Sequence, residues 1–234
     1  EGDITNLVDI AWISTPNVVG QDALLALDQS GIIMYCLPDG SSPVTARLSP
    51  PTNGWGAPRA VEVFADRLYV LDPPVNQVWV FERIGGLFSE PPSPYFSEAV
   101  YDLSTIVDFA IAQGDLYLLR TDSSMMQCTR NTFDNTNCTE RVTYIDERIG
   151  RSAADRLADL SAPASLVFDP PPEPSLYIAD ADSAGAYQLS LGMVLQRQFR
   201  PTAGLGTPVN AVAIGSGKEI YYAAGNNVYV GARP

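Results

Sequence analysis

Five versions of one short strand recur along this chain: Leu24-Leu-Ala-Leu-Asp28, Leu68-Tyr-Val-Leu-Asp72, Leu116-Tyr-Leu-Leu-Arg120, Leu176-Tyr-Ile-Ala-Asp180 and Ile220-Tyr-Tyr-Ala-Ala224. Successive copies begin 44, 48, 60 and 44 residues apart. Each follows an apolar segment, such as Ala60-Val-Glu-Val-Phe64, and precedes a third one, such as Gln77-Val-Trp-Val-Phe81. Short β-branched and aromatic runs bounded by Pro, Asp, Asn and Gly read as strands joined by turns. A unit of this size cannot bury its apolar faces alone and must stack on its neighbours. The period, the short strands and the lack of a long helical pattern predict an all-β fold, a β-propeller of about five four-stranded blades. The blades are expected at about 7–50, 58–100, 103–146, 162–202 and 207–234, within a single domain. The last offers three strands, so it either stays three-stranded or takes a fourth from residues upstream of Glu1.

Within this frame the fourth strands are expected at 44–48, at 87–89 or within 95–100, at 141–145 and at 194–199. One stretch breaks the β pattern. In 147–160, ERIGRSAADRLADL, residues Ile149, Ala153, Leu157 and Leu160 fall at helical spacing with Ser152 as N-cap. A short helix is expected near 152–160, the alternative being a crossing loop with one helical turn. Tyr69, Tyr117, Tyr177 and Tyr221 recur at one position and are expected in the core between blades.

Composition removes several classes of function. The net charge is −13, which opposes both nucleic acid and an anionic membrane surface. No apolar run reaches the length of a membrane span. Histidine is absent, so no Ser-His-Asp or Cys-His mechanism, histidine-ligated zinc or histidine general base is available. Three cysteines occur. Cys128 and Cys138 flank a polar stretch, TRNTFDNTN, and are expected to form a disulfide; Cys36, inside an apolar strand, is expected to be an inert thiol. A disulfide predicts an extracytoplasmic or secreted location. The chain opens at Glu1 without Met, which predicts a fragment of a longer protein whose upstream signal or anchor is not included.

Blade two carries a more specific pattern: Pro58, Leu68-Tyr-Val, Asp72, Asn76, Val78, Phe81 and Gly85-Gly86. Blade four keeps Pro163, Leu176-Tyr-Ile, Asp180 and Tyr187; blade five keeps Pro208, Ile220-Tyr and Val228. In these residues the chain resembles the NHL-type propellers over nearly its whole length. More distantly it resembles gluconolactonase-type propellers, whose metal-binding Glu-x-Pro-x-Trp start is missing here. The first resemblance implies a binding or sensor module. The second implies a metal-dependent lactonase, which Asp9, Asn53, Asn210 and Asp108 would have to serve.

Two sets of residues are the candidates for chemistry. Asp28, Asp72, Arg120 and Asp180 end the second strands of blades one to four. They would either hold a cation or polar ligand on one rim, or cap the turns that follow. Asp9, Glu62 and Asp108 fall at matching places in three first strands. Acids between apolar neighbours are costly unless they face water, a partner or a metal. Such oxygen ligands suit Ca²⁺, although no cofactor is required by the sequence. Trp55, between glycines, is a candidate for stacking on a ligand or partner. The reading that follows is a non-catalytic binding module for a protein or small polar ligand on the loop face, with the lactonase as its rival.

Overall fold

The computed structural model describes residues 4–15, 17–132, 135–147, 160–170, 172–201, 207–215 and 219–233. The described residues form five antiparallel sheets, each a meander of strands paired in chain order. Blade one comprises β1 (Leu7–Ile13), β2 (Ala23–Asp28), β3 (Ile32–Cys36) and β4 (Val44–Arg47). Blade two comprises β5 (Ala60–Phe64), β6 (Arg67–Asp72), β7 (Gln77–Glu82) and the two-residue β8 (Ser93–Pro94). Blade three comprises β9 (Ile106–Ala112), β10 (Asp115–Arg120), β11 (Met125–Thr132) and β12 (Asn135–Val142). Blade four comprises β13 (Pro163–Asp169), β14 (Ser175–Asp180), β15 (Gly185–Ser190) and β16 (Leu195–Phe199). Blade five has three strands, β17 (Val209–Ile214), β18 (Glu219–Ala224) and β19 (Asn227–Ala232). This is the all-β blade architecture of a β-propeller.

The repeated strand is the second of each blade, and its composition follows from its place. It pairs on both edges, and in blades two, three and four it is buried on both faces: β14 at every residue and β6 and β10 at all but their first. A strand buried on both faces carries a continuous apolar run rather than an alternating one. That is why Leu-Tyr-Val-Leu and its variants recur.

The chain divides into two compact units, Glu1–Thr105 with Arg130–Thr136, and Ile106–Thr129 with Asn137–Pro234. In the first, blades one and two share a core of Leu25, Leu27, Ile33 and Tyr35 against Val61, Leu68, Val70 and Phe81. In the second, Tyr117, Leu119 and Met125 of blade three pack with Leu166, Leu176 and Ile178 of blade four. Blade four then packs Tyr177, Ala179 and Ala186 against Val209, Val212, Ile220 and Tyr222 of blade five.

Several expectations are corrected. The fourth strand of blade two lies between the two stretches expected for it, because Ser93 and Pro94 pair with Val80 and Trp79. Blade three extends β11 and β12 through the polar stretch that sequence reading takes as a loop, so its fourth strand starts at Asn135 rather than near Arg141. The Cys128–Cys138 disulfide is present. It ties the two strands of that hairpin to each other instead of closing the mouth of a loop. The Thr-rich segment can be strand because backbone pairing between β11 and β12 does not depend on an apolar side-chain pattern. The helix expected near 152–160 falls almost wholly outside the described residues. Of the four recurrent tyrosines, Tyr69, Tyr117 and Tyr177 are buried, whereas Tyr221 of blade five is only half-buried.

Candidate functional site

The second strand of each blade ends where the first begins, because antiparallel neighbours run in opposite directions. The side chain at that end therefore reaches the segment that leads into its own blade. Asp28 does so in blade one: its carboxylate accepts the N–H groups of Thr5 (3.0 Å), Asn6 (2.8 Å) and Ser30 (2.7 Å). Asp72 accepts those of Gly56 (2.9 Å) and Ala57 (2.8 Å), and Trp79 Nε1–H donates to it at 3.4 Å. Asp180 accepts those of Ala162 (2.7 Å) and Ser183 (2.8 Å). All three side chains are buried, and each carboxylate accepts at least two N–H groups. At Asp28 burial pulls the titration upward, but the bonds from Ser30, Asn6 and Thr5 overcome it and hold the carboxyl well below the usual range. A glycine at 56 completes the arrangement in blade two, since a Cβ there would come within 2.7 Å of Asp72 Oδ1. In blade three the same place holds Arg120, also buried, whose Nε–H donates to the Glu140 carbonyl at 3.2 Å. Asp28 and Asp180 thus cap the turns that follow them, through Ser30 and Ser183, whereas the bonds of Asp72 go to the segment leading into its blade and that of Arg120 to β12.

The first-strand acids separate into two positions. Asp9 pairs with Leu27 and Asp108 with Leu119, which are equivalent residues of the repeated strand. Glu62 pairs with Tyr69, two residues away from that register. The sequence expectation that all three match is therefore incorrect: Ala60 is the blade-two equivalent of Asp9. Ser165 is the equivalent in blade four, since it pairs with Ala179. At this position a recurring bond appears. Asp9 accepts the N–H of Val61 in the next blade at 2.9 Å, Asp108 that of Leu166 at 2.7 Å, and Ser165 Oγ that of Val212 at 3.2 Å. In blades one, three and four a single acceptor thus staples the first strand to the first strand of the following blade, whereas blade two has Ala60 at this position and blade five Ala211. Among the described residues, no group of three His, Cys, Asp or Glu side chains is placed to hold a metal ion.

Asp9 and Glu62 nevertheless share an electrostatic environment. Burial pushes the Asp9 carboxyl up to about 6, against the lowering effect of its bonds from Val61 and Ile10. Burial, and after it the negative charge of Asp9, pushes Glu62 up to about 7.

Trp55 stacks on Phe81 with ring centroids 6.0 Å apart and joins the core of blades one and two. It also lies over Gly31, where a Cβ would come within 2.6 Å of its indole nitrogen. It is a half-buried packing residue. Trp12 on β1 is the more exposed of the two, at 54 %. Asn17 is buried and organises the long first hairpin through Gln21, Val19 and Gly20, and Asn53 and Asn210 are exposed.

A cleft of about 350 Å³ opens in the first unit, lined by Asn6, Leu7, Val8, Gln29, Ala57, Pro58, Arg59 and Pro74. These residues come from the lead-in segments of blades one and two and from their second-to-third-strand turns. Its two walls contain backbone that Asp28 and Asp72 fix, at Asn6 and Ala57. The polar side chains facing it are Asn6, Gln29 and Arg59, beside an exposed Leu7. The volume lies in the range of small-molecule sites.

No family model matches this sequence, and no curated protein sequence matches it. Solved structures do. A chain of a nidogen/laminin complex superposes with a TM-score of 0.62 at 15 % identity, over 97 % of this chain and 76 % of that one. A gluconolactonase from Xanthomonas campestris gives 0.61 at 12 % identity over 91 % and 69 %. Virginiamycin B lyase from Staphylococcus aureus gives 0.54 at 9 % over 99 % and 71 %. At such identities the likeness establishes the fold, a β-propeller, and one fold of this kind serves binding and catalysis alike.

Proposed function

We propose that this protein is a non-catalytic, extracytoplasmic binding module that takes a small polar ligand, or a segment of a partner protein, on the loop face of its blades. The observation that carries this reading is the cleft between the turn ends of blades one and two. Its walls are held by buried carboxylates that spend their hydrogen-bonding capacity on backbone, so the recess is preformed. Lining groups of mixed character, Arg59, Gln29 and Asn6 beside Leu7 and Pro74, suit a ligand with both polar and apolar parts. The likeness to the nidogen chain, taken from a complex with laminin, and the disulfide support the same reading.

A second reading, a metal-dependent lactonase, draws support from the gluconolactonase neighbours and from two half-buried carboxyls, Asp9 and Glu62, raised toward neutrality. A divalent cation such as Ca²⁺ belongs to that reading.

Thermal-shift screening against sugars, aldonolactones, amino acids and short peptides, with and without Ca²⁺ or Zn²⁺, tests both. A ligand that raises Tm by mass action in the wild type, with the shift lost in Arg59→Glu, supports the binding module. Metal-dependent hydrolysis of an aldonolactone, abolished in Glu62→Gln, would replace it with the enzyme.

A further inference from the structure

The cleft beside the lead-in segments of blades one and two offers a ligand side chains rather than backbone. The Asn6 N–H is bonded to Asp28 and the Ala57 N–H to Asp72. The Gln29 N–H donates to the Asn6 carbonyl at 3.1 Å, and the Arg59 N–H to the Leu71 carbonyl at 2.8 Å. Pro58 and Pro74 have no N–H to give. Pro74 also sits in a 3₁₀ turn, Pro73–Val75, which the Asn76 N–H closes on the Pro73 carbonyl at 2.9 Å. Polar recognition in this recess therefore falls to the side chains of Asn6, Gln29 and Arg59.

Those three side chains carry more donors than acceptors. Each amide brings a carbonyl and an NH₂ group, and the guanidinium brings five N–H donors and no acceptor. A carboxylate takes two of the five in a planar fork and leaves the others to neighbouring protein groups. Among the described residues no Asp or Glu lines the cleft, in a chain with 27 acids against 14 Lys and Arg. Asp28 and Asp72 stand behind its walls, and the oxygens of each already accept at least two N–H groups. Arg59 is thus the charge that the described lining presents to a ligand. Beside it lie Leu7, Val8, Pro58 and Pro74, which suit an apolar body.

We propose that the group this cleft recognises is a carboxylate on a short apolar body, held by Arg59 with Gln29 and Asn6 donating beside it. The proposal rests on the reading of the cleft as a binding site and names the chemical class of its ligand. A volume of about 350 Å³ admits such a molecule. The same chemistry belongs to a small free acid and to the last residue of a peptide. Selectivity follows from the excess of donors. A primary amide of the same body replaces one acceptor oxygen by an NH₂ group, which faces the Arg59 donors with nothing to accept them.

Titration of the isotope-labelled full chain, followed by the backbone N–H signals of Asn6, Ala57 and Arg59, tests this. The probes are N-acetylleucine, its amide, and a tetrapeptide ending in leucine with a free or an amidated C-terminus. The free acids should move these signals and bind about tenfold or more tighter than the matching amides. Arg59→Gln should remove that preference with circular dichroism unchanged. Raising NaCl from about 0.02 M to about 0.5 M should weaken the acids several-fold and leave the amides alone, a readout that holds even where Arg59→Gln does not fold. A tetrapeptide that binds tighter than N-acetylleucine assigns the site to protein C-termini; one that binds no tighter assigns it to small free acids. Acids and amides that bind alike, a preference that survives Arg59→Gln, or indifference to salt overturns the carboxylate and leaves the binding module standing. Acids that leave all three signals unmoved also overturn it, and the module falls with it where the thermal-shift screen is blank as well.

Discussion

The turn end of blade one and its first strand hold carboxyls that answer burial in opposite ways. Asp28 sits at the turn end with N–H groups of Thr5, Asn6 and Ser30 on its oxygens and titrates below the ordinary range. Asp9, on the adjoining strand, receives the N–H of Val61 and of its neighbour Ile10, and burial prevails, taking it to about 6. Glu62, with Asp9 as a charged neighbour, goes to about 7. The N–H groups facing the carboxylate outweigh its desolvation at Asp28 and fall short of it at Asp9. Asp28 is therefore held as a charge beside the cleft, whereas Asp9 and Glu62 can take up a proton near neutrality.

The largest effect expected from breaking this contrast is at the turn end. Asp72→Ala takes the acceptor from the N–H groups of Gly56 and Ala57 and empties the place of a buried side chain, and should cost about 2–4 kcal/mol in urea unfolding. Asp72→Asn, which keeps one acceptor, should lose distinctly less. A loss below about 1 kcal/mol for the alanine variant would remove the capping role. The hairpin of blade three sets a scale independent of either carboxyl class: Cys128→Ser/Cys138→Ser should lose about 2–3 kcal/mol, the chain-entropy value for so short a loop.

At the staple position, Asp108→Ala frees the N–H groups of Phe109 and Leu166 and should cost about 1–2 kcal/mol. Asp9→Asn keeps an acceptor for Val61 while removing a charge that burial disfavours. It should be close to neutral at pH 5 and stabilising at pH 8, by urea midpoint. Equal losses for the two variants would show that the staple depends on charge rather than on accepting a bond.

The smallest effect is the pH profile, where the sign separates the two regions. Asp9 and Glu62 have folded-state pKa values raised from 3.8 and 4.5. Their contribution is fully present below the unfolded values and is lost as pH rises through about 6 and 7. Wild type should therefore unfold at higher urea at pH 5 than at pH 8, and Glu62→Gln should flatten that difference. Asp28 acts in reverse: its contribution is present above 3.8 and is lost as pH falls through its lowered folded value. A profile that keeps rising from pH 5 to pH 8 would assign the strand acids to the same class as the turn-end acids.

What the amino-acid sequence determined by itself was the repeat. A strand buried on both faces and paired on both edges must be apolar at nearly every residue, so Leu68-Tyr-Val-Leu and its relatives declare the second strand of each blade without reference to anything distant. The Asp that ends it and the Pro, Asn and Gly that bound it are local turn chemistry, legible for the same reason. Register was not legible, because a shift of two residues leaves the alternation of a strand unchanged while moving a side chain to a different neighbour. That is why Glu62 looks equivalent to Asp9 in the sequence and is not. The short β8 pairs through backbone alone and the polar hairpin of blade three through backbone and one disulfide, and backbone pairing writes little into side-chain pattern. The cleft and the burial of each sheet face arise from what packs beside each blade. Only the tertiary structure could decide those, since burial depends on neighbours that a sequence position does not name.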